Sequence, residues 1–175
     1  MGKAIDNMIS RRSIRSFEPD MPDMALIEEV VKAGTYAPTG MNRQSPVIIA
    51  VTNKELRDKL SVMNAAIMGK GPDFDPFYGA PVVLIVLADR SAPTYVYDGS
   101  LVMGNLMLAA NDLGLGSCWI HRAKEEFSTP EGREILASLG IEGDYEGIGH
   151  CVIGFAKGER PAEKPRKENY VYYIK

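Results

Sequence analysis

The run APVVLIVLA, residues 80–88, limits the possible folds of this chain more than any other segment. It is far too short to span a bilayer, which takes about 20 apolar residues. Its apolar residues follow one another without polar alternation, as they do in strands that are buried on both faces. We therefore predict a strand at Val82–Leu87. A second continuous run, VIIAVT at residues 47–52, predicts another buried strand.

The spacing of apolar residues predicts helices around these strands. The predicted helices cover residues 4–10, 23–37, 54–63, 96–113 and, from an N-cap at Thr129 followed by Pro130, a stretch ending at Leu139. The helix over 96–113 is apolar almost all round, which predicts a central helix or a subunit-interface helix. Short strands are predicted at 116–121 and 149–156. Helices and strands are interspersed without a regular βαβ series, so we expect an α+β fold in one domain, residues 1–175.

The composition excludes several broad classes of protein. With 175 residues and a net charge of -3, the chain does not have the basic character of a general nucleic-acid or membrane-surface binder. Its two cysteines are too few for a disulfide framework, and the first ten residues lack the apolar core of a signal peptide. We expect a cytoplasmic protein with reduced thiols.

Three arginines in RRSIRSF, residues 11–17, form a local basic cluster on this acidic background. Such residues near the end of a helix offset the helix dipole, and charge runs are usually solvent-facing. The sharper interpretation is a phosphate site, because guanidinium forks match phosphate oxygens and Ser13 adds a hydroxyl. A second basic segment, KPRK at residues 164–167, gains meaning only if it reaches the same phosphate.

Two loops are candidates for binding. The turn-rich APTGMNRQSP, residues 37–46, is either a connecting loop or a binding loop that presents Thr39, Asn42 and Gln44 to a planar polar ring. The loop at residues 69–81 contains three prolines and three glycines. A loop of that length without regular structure is usually functional or mobile.

Cysteine and histidine residues raise the question of zinc. Cys118, His121, His150 and Cys151 are four in number, but adjacent residues on a strand point to opposite faces, which argues against a shared metal. Cys118, beside Trp119 on an apolar strand, is expected to be a small core residue. The sequence has neither a G-x-G-x-x-G fingerprint nor a P-loop, since GLGSCW keeps only the first two glycines.

The order of RRSIRSF, APTGMNRQSP, GAPVVLIV, GLGSCWI and RPAEKPRK along the chain resembles the nitroreductase family of FMN-dependent oxidoreductases. The resemblance implies an α+β fold with a central, mostly antiparallel sheet flanked by helices. It also implies an intertwined homodimer with FMN at the subunit interface. The tail from about residue 157 would then embrace the partner.

The resemblance also implies roles for individual residues. The FMN phosphate and the polar edge of the flavin would be held by Arg11, Arg12, Ser13 and Arg15. The same flavin would be approached from the partner subunit by Pro38, Thr39, Gly40, Met41, Asn42 and Gln44. Cys118, Trp119 and Ile120 would lie near the ring, Lys164 and Arg166 would close over the phosphate, and Asn64 would reach the flavin edge. His121-Arg122 stands where glycine is more usual, which leaves the substrate open.

The function implied is hydride transfer from NAD(P)H through FMN to small acceptors, nitroaromatics, quinones or enones, by a ping-pong mechanism. The cofactor carries this chemistry, so no dedicated catalytic acid or nucleophile is expected. An FMN-binding electron carrier or flavin-handling protein without nicotinamide-dependent turnover is the alternative. A small zinc-bound regulatory domain is a third hypothesis, and it would be colourless.

Overall fold

The computed structural model describes residues 2–175 and contains one four-stranded sheet between helices. The strands are β1 (Pro46–Val51), β2 (Val82–Asp89), β3 (Gly116–Ile120) and β4 (Tyr145–Gly154), in the order β1-β2-β4-β3. The helices are α1 (Lys3–Ser10), α2 (Met24–Thr35), α3 (Lys54–Ile67), α4 (Tyr95–Asp112), α5 (Ala123–Glu126) and α6 (Pro130–Ser138), with 3-10 turns at Gly40–Asn42 and Glu168–Tyr170. Every neighbouring strand pair is antiparallel, which confirms the predicted α+β class.

Strand β2 forms the centre of the core because its side chains alternate between two buried clusters. Val83, Ile85 and Leu87 pack on the side of α3, α5 and α6. Val82, Leu84 and Val86 pack on the opposite side, against α2 and α4. A strand covered by helices on both faces has no reason to alternate apolar with polar residues, which explains the continuous apolar run in its sequence.

Strand β4 begins four residues earlier than predicted and ends two residues earlier. Its pairing with β2 shifts register between Val86 and Leu87, so the strand carries an irregularity where Gly147 and Gly149 occur. A Cβ at Gly147 would collide with the backbone of Ala123, and one at Gly149 would collide with the Trp119 indole. These glycines therefore serve close packing rather than a turn. The short helix α5 has no counterpart in the predictions.

The N-terminal segment is joined to the sheet by backbone hydrogen bonds. The amide of Ile14 donates to the carbonyl of Ser117 on β3 at 2.9 Å, and Ser13 forms a parallel bridge with the same residue. Phe17 forms an antiparallel bridge with Ala156, just beyond β4. Ile14 and Phe17 are buried in the core. The polar residues between and before them therefore lie along the outer edge of β3.

A buried acid–histidine pair ties α5 to β4. Glu126 Oε2 lies 2.5 Å from His150 Nε2, and neither side chain is exposed to solvent. Within residues 2–175, the polar atoms of both side chains have no hydrogen-bond partner beyond this contact. The Phe77 ring lies 5.3 Å from the His150 ring, so the long loop at 69–81 packs against the same pair.

Candidate functional site

The arginine cluster divides into residues with different surroundings. Arg12 uses its Nη1 to donate to the carbonyls of Ile9, at 2.7 Å, and of Arg11, at 2.9 Å. Its Nη2 lies 3.3 Å from a carboxylate oxygen of Glu163 in the tail. Arg12 therefore binds the carbonyl end of α1, which matches the helix-end interpretation for this one residue.

Arg11 is placed differently, since its Nη1 is buried and has no hydrogen-bond partner within residues 2–175. A buried charged donor without an acceptor is unfavourable by about several kcal/mol unless an anion accepts its hydrogen bond. This atom therefore indicates an anion site. Ser13 lies on the same edge, beside Ser117. Arg15 is exposed and has no carboxylate within 4.0 Å among the described residues.

Cys118 connects these residues to β3. Burial raises the pKa of its thiol, and Arg15, a hydrogen bond with Ser13 and Arg11 offset only part of that increase. The structure therefore brings Arg11, Ser13, Arg15 and Cys118 to one place. A thiol with a raised pKa stays protonated at neutral pH and is unsuited to act as a nucleophile. Cys118 is also part of the core, as the sequence predicted.

The geometry of the histidines and cysteines does not fit a shared metal. Cys151 belongs to the cluster on the α2/α4 side of the sheet, whereas its neighbour His150 packs against Phe77 on the other side. Among residues 2–175, no three or more histidine, cysteine, aspartate or glutamate side chains are grouped as metal ligands would be.

No helix within residues 2–175 has the length and apolar character needed to cross a membrane.

The loop at 38–44 is fixed by a carboxylate that sequence reasoning missed. Asp98 on α4 is buried and accepts from the Gly40 amide at 2.9 Å, the Ser45 hydroxyl at 2.8 Å and the Thr94 hydroxyl at 3.0 Å. Burial acts to raise its pKa, but these three hydrogen bonds lower the pKa below its ordinary value. An aspartate in the first turn of a mostly apolar helix was the available signal.

The backbone of this loop is strained. Met41, Asn42 and Gln44 all have positive φ values, of 55°, 53° and 51°. Each such residue is unfavourable by about 1 kcal/mol or more unless its surroundings enforce the conformation, and such residues are concentrated at binding sites. Gly40 cannot be replaced freely, because a Cβ there would collide with Thr94. Thr39 completes the loop by accepting from the Gln44 amide at 3.0 Å.

Within one chain, this loop and the arginine segment lie at opposite edges of the sheet. The loop leads into β1, whereas residues 11–17 lie beside β3. Strands β2 and β4 lie between β1 and β3. Three strand spacings correspond to about 14 Å. Of the predicted residues, Pro38, Thr39, Gly40, Met41, Asn42 and Gln44 are therefore not brought to Arg11 by their own chain.

The C-terminal tail returns to α1. Arg160 hydrogen bonds with Asn111 on α4, and Glu163 pairs with Arg12. Lys164 follows directly, and both it and Arg166 are exposed. The two predicted tail residues are thus carried towards the arginine segment by their own chain.

Asn64, predicted at the flavin edge, is fully buried, and both ends of its amide are engaged. Its Nδ2 donates to the His121 carbonyl at 3.0 Å, and its Oδ1 accepts from Arg122 Nε at 3.0 Å. Its visible task is to hold the turn after β3. That turn needs support because Arg122 has a φ of 79°.

The long loop at 69–81 is anchored by Asp75, which sequence reasoning also missed. Asp75 accepts from Arg57, from the Ser61 hydroxyl at 2.7 Å and from the amides of Phe77, at 2.9 Å, and Gly79, at 2.7 Å. Burial opposes the resulting decrease in its pKa, yet the pKa remains lowered. The loop has no helix or strand, as predicted, but it is firmly attached.

Anchoring at alternate positions turns the intervening side chains outward. They line a cavity of about 200 Å³ together with residues of β3 and the turn after it. The cavity is lined by Arg15, Met68, Phe74, Pro76, Tyr78, Cys118, Trp119, Ile120, His121 and Arg122. The cavity therefore brings Arg15 together with Cys118, Trp119 and Ile120, the three β3 residues for which the resemblance implies a place near the flavin ring.

The sequence model of the nitroreductase family matches residues 8–155. The chain belongs to the nitroreductase family. The match includes the arginine segment, the loop at 38–44, all four strands up to Gly154 and the cavity residues. It confirms the family that the order of the motifs predicted.

Individual relatives agree with this assignment. A relative from Methanothermobacter thermautotrophicus is 31% identical over 119 residues, 63% of this chain, and the chain spans only 56% of that relative's length. A Bacillus subtilis protein named FMN reductase (NAD(P)H) is 26% identical, with 95% of this chain and 70% of that protein covered. The crystal structure of a nitroreductase with bound FMN from Bacteroides fragilis has a TM-score of 0.89 at 25% identity, and both chains are covered completely.

The role of Asp98 gives a first prediction. Asp98→Ala leaves the Gly40 amide and two hydroxyls without their acceptor, so we expect a decrease of about 2–4 kcal/mol in the free energy of unfolding. Urea denaturation measures this, and hydrogen exchange at the Gly40 amide should accelerate. Because the pKa of Asp98 is lowered from 3.8, the carboxylate is ionised at neutral pH, and the full difference in the free energy of unfolding between wild type and variant is expected there. It shrinks only as the pH falls below about 4, when the wild-type carboxylate is protonated through its lowered pKa.

The matched control for Asp98→Ala is Asp112→Ala. Asp112 is the exposed last residue of the same helix, and its side chain makes no hydrogen bond or ion pair among the described residues. Equal loss of stability in both variants, or slow exchange at Gly40 in Asp98→Ala, would contradict the anchoring role.

Proposed function

We propose that the chain is an FMN-dependent oxidoreductase that transfers hydride from NAD(P)H to small electron acceptors by a ping-pong mechanism. FMN, when bound, supplies the chemistry by accepting a hydride at its ring and giving it up again. Nitroaromatics, quinones and enones are the acceptor classes that such chemistry serves. The FMN-bound Bacteroides fragilis structure and the FMN reductase of Bacillus subtilis support this proposal by their likeness to the chain.

The observation that carries the proposal is the Nη1 of Arg11, which is buried and has no hydrogen-bond partner among residues 2–175. An FMN phosphate would supply the missing acceptor, and Ser13 on the same edge of β3 can donate to it. Lys164 and Arg166 follow the tail residue that pairs with Arg12, so they can add positive charge to the same region. The residues present therefore fit the phosphate of FMN.

The ring would lie towards the other end of β3. Arg15 lines the cavity with Cys118, Trp119 and Ile120 and can supply positive charge to the polar edge of the ring. The protonated Cys118 thiol is not suited to act as a nucleophile towards the ring. The task of this chain's residues would thus be to bind, orient and exclude water.

The second wall of the site would come from another copy of the chain. The strained loop at 38–44 lies at the edge of the sheet opposite to Arg11. We propose a homodimer in which each loop faces the arginine segment of the partner. The exposed tail supports this, because Val171, Tyr172, Tyr173 and Ile174 are all at least 59% exposed in the single chain. Such a cluster of exposed apolar residues is typical of an interface.

Turnover is the direct test. The purified protein should be yellow, because flavin absorbs near roughly 450 nm. We expect this absorbance to be lost when NADH or NADPH is added without oxygen. With a nitroaromatic, quinone or enone acceptor, double-reciprocal plots should give parallel lines. Bound FMN with slow bleaching in anaerobic stopped-flow, and no turnover across all three acceptor classes, would support the electron-carrier or flavin-handling alternative instead.

The proposed FMN site, with Arg11 at the phosphate and Arg15 at the ring, predicts the effect of two substitutions. Arg11→Ala and Arg15→Ala each remove a charge-assisted donor, worth about 1.5–3 kcal/mol, so FMN should bind roughly 10- to 100-fold more weakly. Fluorescence titration of apoprotein with FMN measures this. Arg133→Ala is the control, since Arg133 is exposed on α6 and its side chain has no partner among the described residues. Unchanged FMN affinity in both arginine variants would exclude the assignment.

The dimer has its own test. Light scattering of the full chain should give twice the chain mass of 19.2 kDa. A monomer that retains FMN would show that the loop at 38–44 is not needed from a second copy.

A further inference from the structure

The cavity beside β3 contains a second arginine that the phosphate site does not use. Among its lining residues are Arg15 and Arg122, the aromatic side chains of Phe74, Tyr78 and Trp119, and no aspartate or glutamate. A concave surface with aromatic side chains, two guanidinium groups and no aspartate or glutamate is suited to an aromatic ligand that carries a negative charge. The proposed flavin would take up the side of this cavity formed by β3, so the side formed by Phe74, Tyr78 and Arg122 is the part left for a second ligand.

Arg122 is held in place before any ligand arrives. Its Nε donates to Asn64 Oδ1, and Asn64 is itself fixed by the His121 carbonyl and is fully buried. Its backbone has a φ of 79°, a conformation that a non-glycine residue adopts only when its surroundings enforce it. Within residues 2–175, no carboxylate lies within 4.0 Å of Arg122, and no group accepts from its Nη atoms.

Position separates Arg122 from the proposed phosphate. Ser13 pairs with Ser117 near the start of β3, whereas Arg122 follows the end of that strand. At about 3.3 Å per residue, Ser117 and Arg122 are on the order of 15 Å apart. One phosphate cannot be bound at both places, so the free face of the Arg122 guanidinium is available to a different anion.

We propose that Arg122 binds the carboxylate of the electron acceptor, so that the preferred acceptors are single-ring aromatic acids. This rests on the proposed oxidoreductase function and names its substrate class. The guanidinium fork pairs with a carboxylate through its two Nη groups, while Phe74 and Tyr78 contact the ring. Arg122 is thus a specificity residue, and Asn64 is the positioning residue that aims it.

Direct binding tests this without turnover. Benzoate and benzamide have nearly the same shape and differ in charge, so calorimetric titration of the FMN-loaded protein should show benzoate binding at least tenfold more tightly. Arg122→Gly removes the guanidinium and its hydrogen bond to Asn64, but it also relieves the positive φ, so the two effects on the thermal midpoint oppose each other and the variant should fold. In this variant we expect the benzoate preference to fall at least tenfold. Arg133→Ala should keep the preference.

Reduction of nitro compounds gives a second measurement. The first two-electron step consumes one NAD(P)H and one proton, and converts the nitro group to a nitroso group, with release of NAD(P)+ and water. The ratio of kcat/KM for 4-nitrobenzoate to that for 4-nitrobenzamide should fall at least tenfold in Arg122→Gly. An equal loss for both compounds, or a changed FMN affinity, would mean that Arg122 serves the flavin and would overturn the proposal.

The two levels of proposal fail separately. If the wild type binds benzoate through Arg122 but does not oxidise NAD(P)H with any acceptor, the oxidoreductase function is wrong and the anion site stands. If the wild type turns over both nitro compounds but binds benzoate no better than benzamide, the function stands and the role of Arg122 is wrong.

Discussion

The candidate site depends on the backbone pairing between the N-terminal segment and the end strand of the sheet. The hydrogen bond from Ile14 to Ser117 fixes the direction of residues 11–17, and burial of Ile14 and Phe17 fixes which side chains turn inward. Arg11, Ser13 and Arg15 are therefore placed by their neighbours rather than by contacts of their own. Because the backbone of this segment is already ordered, anion binding there does not have to order it, which lowers the entropy cost of binding.

Two carboxylates, one buried and one partly exposed, have the same task in different parts of the molecule. Asp98 holds the loop before β1, and Asp75 holds the loop before β2. Both accept hydrogen bonds from backbone amides of these loops and from nearby hydroxyls, and in both the hydrogen bonds outweigh burial and lower the pKa. Glu126, which faces His150, joins α5 to the sheet in a comparable way. Irregular segments can thus be rigid when a single ionised group satisfies several of their donors.

The sequence predicted most of the fold because its periodicities are strong. The apolar runs predicted β1 and β2, the N-cap at Thr129 predicted α6 within one residue, and the order of motifs predicted the family. It failed at β4, where glycines that serve packing resemble turn residues. It could not separate Arg11 from Arg12, because burial and partners depend on distant residues such as Glu163. Asp98 and Asp75 were missed for the same reason, since their acceptor roles join segments that are far apart in the chain.

The alternation within residues 74–78 has a consequence for how such a chain can change. Phe74, Pro76 and Tyr78 face the cavity, whereas Asp75 and Phe77 face the core. Replacing a cavity residue alters only the surface that a ligand meets. Adding or deleting one residue would exchange the two sets, so an aromatic ring would leave the core and a carboxylate would leave its donors. Over evolution the side chains of this wall can therefore vary more freely than its length.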